Sequence, residues 1–297
     1  MAIRFDGKAF AAAKEQVLAA KVQTLKESGR TIVVHTTTFQ EDAGSQLYTK
    51  LKHQAATRIG IDYQPHEVSF ADSADQILSA IQESSDNPSV TGVMVQKPSK
   101  QVWMQETGKD DNAFQDWWQR LTDAISPQKD VDCLTQTNLN AILNSTTYAP
   151  SQLLPATVAA CLTILHEARI AVDQTEKEWN DRRILVVGRS AIVGKPLAHM
   201  LSLAGHSVVN VGKDFSSVNS TEFPIIISAV GVPNLFSGGM VADQSILIDV
   251  GSPQGDFDLS TVERKALFYT PVPGGVGPVT ISCLLENCLQ VASGVMK

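Results

Sequence analysis

The run Ile184-Leu185-Val186-Val187 stops at Gly188, and beyond it the pattern changes to helical spacing near 194–204. A buried aliphatic strand that turns on glycine into a helix is the opening of a βαβ unit, and such units pair their strands in parallel. Four further β-rich runs follow, at Ser207–Val211, Pro224–Val230, Ser245–Val250 and Leu267–Tyr269. Five strands with an early glycine turn predict a Rossmann-type sheet.

The front of the chain alternates in the same way. Helical spacing over 8–28 ends at Gly29, and a β-rich run follows over Thr31–Thr36. A helix is expected over 43–58, with Leu47, Leu51 and Ala55 along one side and Gly60 as its stop. A strand at 62–70, a helix at 73–84 and a buried strand at 89–95 complete the series. Met104–Asp111 reads as a surface loop, and Phe114, Trp117, Trp118 and Leu121 read as the inner face of a helix. The helix over 155–169, with Pro155 in its first turn, marks a domain junction. The expected fold class is α/β, with two α/β domains flanking a cleft. The first spans 1–150, with a helix over 279–297 packing back onto it, and the Rossmann-type domain spans 151–278.

Bulk properties exclude some classes. The net charge of −7 leaves no basic stripe for a nucleic acid, so no nucleic-acid partner is expected. No apolar run reaches the length of a membrane span, and Met1–Asp6 has no signal-like apolar region, so the chain reads as cytoplasmic with no membrane partner. The four cysteines (Cys133, Cys161, Cys283 and Cys288) form no C-x-x-C pair and no zinc spacing, so they read as reduced thiols and no metal is expected.

Two segments carry chemistry. Five residues separate Gly188 from Gly194, which is not G-x-G-x-x-G, and Pro196 after Lys195 excludes a P-loop. A glycine turn feeding a helix exposes backbone N–H groups to an anion. The spacing leaves two readings open, a dinucleotide-phosphate cradle and a plain strand–helix turn. The next strand ends in Gly212-Lys213-Asp214, where the adenine ribose is read, and Arg189 adds a second cation that favours NADP over NAD. The second segment is Thr270–Thr280, with three prolines and three glycines in eleven residues. Proline fixes φ and glycine permits positive φ, so this is a shaped loop, read either as a rigid connector or as a backbone wall over a flat ligand.

Together these blocks resemble one family. Gly188-Arg189-Ser190-x-x-Val193-Gly194-x-Pro196 and Thr270-Pro271-Val272-Pro273-Gly274-Gly275-Val276-Gly277-Pro278 are similar to the bifunctional methylenetetrahydrofolate dehydrogenase/cyclohydrolase family. Ser45-Gln46-Leu47-Tyr48-x-x-x-Lys52, Val95-Gln96-x-Pro98 and Lys129-Asp130-Val131-Asp132 fit it in the same order. The resemblance implies that Lys52 is the catalytic lysine and that Gln96 orients and tunes it. It implies that Tyr48 packs on the folate, and that Asp132 bonds the pterin. Val95, Lys97 and the loop Pro273, Gly274, Gly275, Val276 and Gly277 then line the tetrahydrofolate site. Gly188, Arg189, Ser190, Val193, Gly194, Lys213 and Ser252 hold the NADP, with NAD as the alternative. It also implies a homodimer and a place in one-carbon metabolism and purine biosynthesis. Tyr48 and Lys52, at i and i+4, share a helix face, and the reading requires the Lys52 amine and the glycine-lined pocket to face one crevice.

The chain departs from the family pattern in several places. Cys133 follows Asp132 where the family has Gly, and Lys97-Pro98-Ser99-Lys100 replaces a Leu-Pro-Leu-Pro run. Leu153–Thr157 reduces a Pro-Cys-Thr-Pro segment, Gly212–Asp214 lacks the usual His/Ser, and Ser252-Pro253 replaces an aliphatic residue and Asn. Two rivals stand beside this reading. One is a monofunctional NAD(P) dehydrogenase, which leaves Lys52, Gln96 and Asp132 unexplained. The other is an inactive folate- or nucleotide-binding paralogue.

Overall fold

The computed structural model describes residues 2–149, 152–173, 175, 178–179, 181–215 and 217–294. The predicted domain boundary at 150/151 and the last three residues of the helix expected over 279–297 lie outside the described residues. The first half contains β1 (Ile3–Arg4), α1 (Gly7–Glu27), β2 (Val33–Phe39), α2 (Ala43–Ile59), β3 (Asp62–Val68), α3 (Ala74–Asp86), β4 (Gly92–Val95), α4 (Lys100–Thr107), α5 (Asp111–Asp123) and α6 (Gln136–Leu143). Then come α7 (Ala156–Ala171), β5 (Arg183–Val187), α8 (Gly194–Leu203), β6 (Ser207–Val211), β7 (Ile225–Ser228), β8 (Ser245–Asp249), α9 (Leu259–Val262), β9 (Ala266–Tyr269) and α10 (Val276–Ser293). Two compact units result, Met1–Ala12 with Ala141–Cys283, and Ala13–Asn140 with Leu284–Lys297.

In the unit of Ala13–Asn140 and Leu284–Lys297, a three-stranded parallel sheet runs in the order β3-β2-β4. Ile32, Val34, Phe39, Ile77, Ile81 and Leu121 fill its core. Asp42 caps α2 by accepting from the Gly44 N–H, and Gly60 closes the helix in the left-handed region. The buried stripe of α2 is Ser45, Thr49, Lys52, Ala55, Ala56 and Ile59. Of the side expected from Leu47, Leu51 and Ala55, only Ala55 is buried, whereas Leu47 and Leu51 are exposed. The first half of the buried stripe is polar because each of its groups finds a partner: Ser45 and Thr49 share hydrogen bonds with Thr38, and Lys52 donates to Gln96.

The loop expected over Met104–Asp111 is also corrected, since its first half is the end of α4. Ser99 caps that helix, Gly108 ends it in the left-handed region, and Trp103 is its single buried residue. Trp103 packs edge-on against Phe114, with ring centroids 5.4 Å apart. As expected, Phe114, Trp118 and Leu121 form the buried side of α5, and Trp117 is half-buried against Phe39.

In the other unit, six parallel strands run in the order β1-β9-β8-β7-β5-β6. β5 has β6 on one side and β7 on the other. The connections therefore reverse direction between β5 and β7, and ligands of open α/β sheets bind at such a switch point, outside the carboxyl ends of the strands. Every loop that leaves a carboxyl end shares this edge, including those after Val187, Val211, Ser228, Asp249 and Tyr269. No helix among the described residues is long and apolar enough to cross a membrane. The four cysteines are buried and none is in a disulfide, and no group of three or more His, Cys, Asp or Glu among the described residues is placed to hold a metal ion.

Candidate active site

Lys52 is buried, 7% exposed. Its Nζ donates to Gln96 Oε1 at 2.9 Å and lies 3.9 Å from Met94 Sδ. Loss of water lowers the Lys52 pKa, and the nearby Asp132 carboxylate opposes that shift. The result is an ammonium poised to lose its proton more readily than a surface lysine does. Gln96 follows β4, and its N–H donates to Thr37 O at 2.8 Å, which fixes the amide beside the sheet edge. Val95, one residue before it, is buried.

Asp132 is half-buried on a loop built by its neighbour but one. Asp130 is fully buried and accepts from Leu134 N at 3.1 Å, Thr135 N at 2.8 Å and Asn138 Nδ2 at 2.9 Å. Burial raises the Asp130 pKa, and those donors hold it down in part. Asn287 Nδ2 adds a bond to Val131 O at 2.9 Å. The loop is therefore set from both sides of Asp132.

Tyr48 lies one turn before Lys52 on α2 and is half-buried. Lys97 is half-buried too, and its ammonium sits over the rings of Trp118 at 5.4 Å and Phe114 at 5.9 Å. Burial lowers its pKa.

Three residues around Lys52 escape sequence reasoning. Tyr63 is buried with its hydroxyl 3.7 Å from Met94 Sδ, and burial drives its pKa far up. Cys288 on α10 is buried and interacts electrostatically with Lys52 and Asp132, and burial pushes its thiol up to about 12. Met94 carries a signal that could have been read, because it stands two residues before Gln96 and alternate strand residues share a face. Tyr63 and Cys288 carry none, since they come from β3 and from a helix far along the chain.

The other unit holds the remaining candidates. Gly188 follows β5 with φ +123°, and a Cβ there would sit 2.7 Å from Ala229 O. At Gly194, the first residue of α8, a Cβ would lie 2.0 Å from Gly188 O. Only glycine lets the turn close this tightly. Ser190 Oγ accepts from Val193 N at 3.2 Å and Gly194 N at 3.3 Å, which shapes the turn into the helix. Arg189 is exposed, and its guanidinium donates to Asn210 O on β6 at 2.8 and 3.2 Å. The cation therefore stands near the carboxyl end of β6, the second strand of the unit, which is where dinucleotide folds of this type read the adenine ribose. Lys213 and Ser252 are exposed on the loops after β6 and β8. The cradle that a Cβ would fill, the α8 N-terminus and Arg189 together fit a dinucleotide phosphate.

The proline–glycine loop leaves β9 and enters α10. Pro273 is exposed, Gly274 and Gly277 are half-buried, and Gly275 and Val276 are buried. The loop backbone lies on α1, where a Cβ on Gly7 would sit 1.9 Å from Gly275 O. The geometry thus gathers Lys52, Gln96 and Asp132 into one group in one unit. In the other it sets Gly188, Arg189, Ser190, Val193 and Gly194 in one turn, with Lys213, Ser252 and the Pro273–Gly277 loop along the same sheet edge.

Residues 5–132 match the family model for the tetrahydrofolate dehydrogenase/cyclohydrolase catalytic domain. Residues 155–295 match the model for the NAD(P)-binding domain of the same family. The bifunctional protein FolD of Moorella thermoacetica is 32% identical, over 97% of this chain and 97% of that protein. The crystal structure of the FolD methylenetetrahydrofolate dehydrogenase/cyclohydrolase of Campylobacter jejuni superposes with a TM-score of 0.84 at 28% identity, covering 99% of this chain and 100% of that one. The Trypanosoma brucei dehydrogenase–cyclohydrolase, solved with NADP and an inhibitor, gives 0.84 at 26% identity, covering 100% and 99%.

Proposed function

Because the chain belongs to the tetrahydrofolate dehydrogenase/cyclohydrolase family, we propose that it oxidises 5,10-methylenetetrahydrofolate to the 5,10-methenyl cation with NADP and hydrolyses that cation to 10-formyltetrahydrofolate. The observation that carries the reading is the buried Lys52 amine held 2.9 Å from Gln96 Oε1. Bound NADP supplies the hydride acceptor. The protein's part in that step is to hold the reacting rings together and to exclude water.

In the hydrolytic step, water adds to the methenyl carbon and loses a proton. The carbon–N5 bond then breaks as the new hydroxyl gives its proton to solvent and becomes the formyl C=O, and N5 takes a proton. Lys52 as a neutral amine receives the first proton and, as an ammonium, returns one to N5, with one proton released overall. A lysine whose pKa burial has lowered suits both roles better than a surface lysine does. Gln96 orients the amine, Asp132 bonds the pterin, and Tyr48, Val95, Lys97 and Pro273–Gly277 contact the folate. Gly188, Arg189, Ser190, Val193, Gly194, Lys213 and Ser252 hold the dinucleotide. Arg189 beside Asn210 O supports NADP, because a cation there pairs with a 2′-phosphate.

The deciding experiment supplies methylenetetrahydrofolate with NADP or NAD, follows the methenyl product, and then follows its decay. Absence of methenyl product with either cofactor refutes the first activity, and decay no faster than without protein refutes the second. We further propose a cytoplasmic homodimer, as the family resemblance implies. Sedimentation equilibrium tests the assembly, and a monomer at micromolar concentration overturns it.

A further inference from the structure

A pair of buried carboxylates stands at the carboxyl edge of the six-stranded sheet, and the mechanism above does not use it. Asp249 ends β8, and its carboxylate accepts from Gly251 N at 2.9 Å, Asp256 N at 3.0 Å and Phe257 N at 3.1 Å. It thereby folds the chain back so that Asp256 returns to the sheet. Asp256 is itself fully buried. Its Oδ2 accepts from Ser228 Oγ at 2.6 Å, Val230 N at 3.0 Å and Gly231 N at 3.3 Å, and its Oδ1 accepts from Val232 N at 2.9 Å. One side chain therefore binds the last residue of β7 and the next loop's consecutive N–H groups at 230, 231 and 232.

That loop lies at the switch point. Ala229 N donates to Val187 O at 2.8 Å, and Ala229 O is the atom that leaves no room for a Cβ at Gly188. The loop is also tied to the segment of Asp256 further on, where Asn234 N donates to Gly255 O at 3.0 Å and Phe236 N to Asp256 O at 2.9 Å. A loop that exposes Gly231 and Val232 would ordinarily be mobile. Here a buried anion fixes its backbone against the glycine turn.

We propose that Asp256 is a positioning residue for the dinucleotide site, holding the 229–232 loop as the fixed wall beside the Gly188 turn. The inference rests on the NADP reading above. A carboxylate is needed because only an acceptor without hydrogens can serve three amides and a hydroxyl at once. In Asp256→Asn the shape is kept, but the amide nitrogen turns a donor toward one of those donors, and the loop loosens.

The test measures NADP affinity by titration calorimetry, cyclohydrolase turnover without nucleotide, and the thermal midpoint, for wild type, Asp256→Asn and Ser228→Ala. We expect Asp256→Asn to weaken NADP binding about tenfold, with kcat and KM for methenyl hydrolysis unchanged. Ser228→Ala, which removes one donor to the carboxylate and leaves the backbone intact, should weaken NADP binding two- to threefold, by the same logic on a smaller scale. NADP affinity equal to wild type in folded Asp256→Asn overturns the proposal. So does a loss of cyclohydrolase turnover as large as the loss of NADP affinity, which marks a purely structural role. If Asp256→Asn does not fold, Ser228→Ala decides, and wild-type affinity there overturns the proposal. Failure of the wild type to bind NADP would instead defeat the functional reading itself.

Discussion

Gln96→Glu puts a carboxylate oxygen where the amide oxygen now accepts the Lys52 ammonium at 2.9 Å. At an effective dielectric near 20, a unit charge pair at that separation interacts by roughly 6 kcal/mol. Gln96 is half-buried and reaches water, so about half of this survives screening, roughly 3 kcal/mol. That corresponds to about 2 pK units. The sign is upward, because the new anion favours the charged amine. Burial lowers the Lys52 pKa in the wild type, and the substitution undoes that lowering. At any pH below the Lys52 pKa the neutral fraction then falls about 100-fold, and methenyl hydrolysis falls with it. The assay follows loss of methenyl absorbance without nucleotide from about pH 6 to pH 10, corrected for the uncatalysed rate. The acid limb of the profile should move about 2 units alkaline, with the rate recovering at high pH. Gln96→Met serves as the uncharged comparison and should lower the rate without moving the limb. A Gln96→Glu limb that superimposes on the wild type in a folded protein refutes the claim that Gln96 tunes Lys52.

The other expectations concern single groups. Lys52→Met should remain folded by circular dichroism and lose cyclohydrolase activity by about 10²–10⁴-fold; hydrolysis at the wild-type rate removes Lys52 from the mechanism. Asp132→Ala should raise the folate KM about tenfold or more through loss of a charge-assisted hydrogen bond, and an unchanged KM argues against pterin contact. Arg189→Ala should raise the KM for NADP about tenfold and leave that for NAD nearly unchanged; equal effects on both cofactors would show that Arg189 does not read the 2′-phosphate. Burial pushes the Asp249 carboxyl up to about 6, against about 3.9 in the unfolded chain. Below both values each state keeps the proton, and as pH rises between them the unfolded chain releases it first, so stability falls. The stability of wild type relative to Asp249→Asn should drop by about 2 kcal/mol from pH 4 to pH 7 in urea melts, and a flat difference contradicts the buried-acid assignment.

Sequence reading succeeded where one local pattern decides the structure. β5 occupies Arg183–Val187 as expected, because a strand buried on both faces reads as an unbroken aliphatic run, and the half-buried edge strand β6 occupies Ser207–Val211 as expected. It failed where the decisive contact is distant. β1 is only Ile3–Arg4 and exists through its pairing with Phe268 and Tyr269, which no periodicity reveals. α4 buries only Trp103, too little to mark an amphipathic face. On α2 the apolar residues Leu47 and Leu51 misled, because the first half of the buried stripe is Ser45, Thr49 and Lys52, whose partners Thr38 and Gln96 come from β2 and the end of β4. The candidate site divides along the same line. Lys52, Gln96 and Asp132 were legible as parts of ordered blocks, while Tyr63, Cys288 and the Asp249–Asp256 pair depend on long-range folding.

Cys133 shows how a departure at the site is absorbed. Its φ of 57° places it in the left-handed region, where the family pattern has glycine. A residue with a Cβ pays about 1–2 kcal/mol to stay there. The thiol is 1% exposed, and burying a group of that size offsets roughly 1 kcal/mol. The remainder is met by the three donors that lock Asp130 and by the Cys133 N–H, which donates to Asp130 O at 3.3 Å. The conformation that orients Asp132 is therefore imposed by the buried carboxylate two residues earlier rather than permitted by the residue that adopts it. Glycine is dispensable after Asp132 for as long as Asp130 keeps its donors.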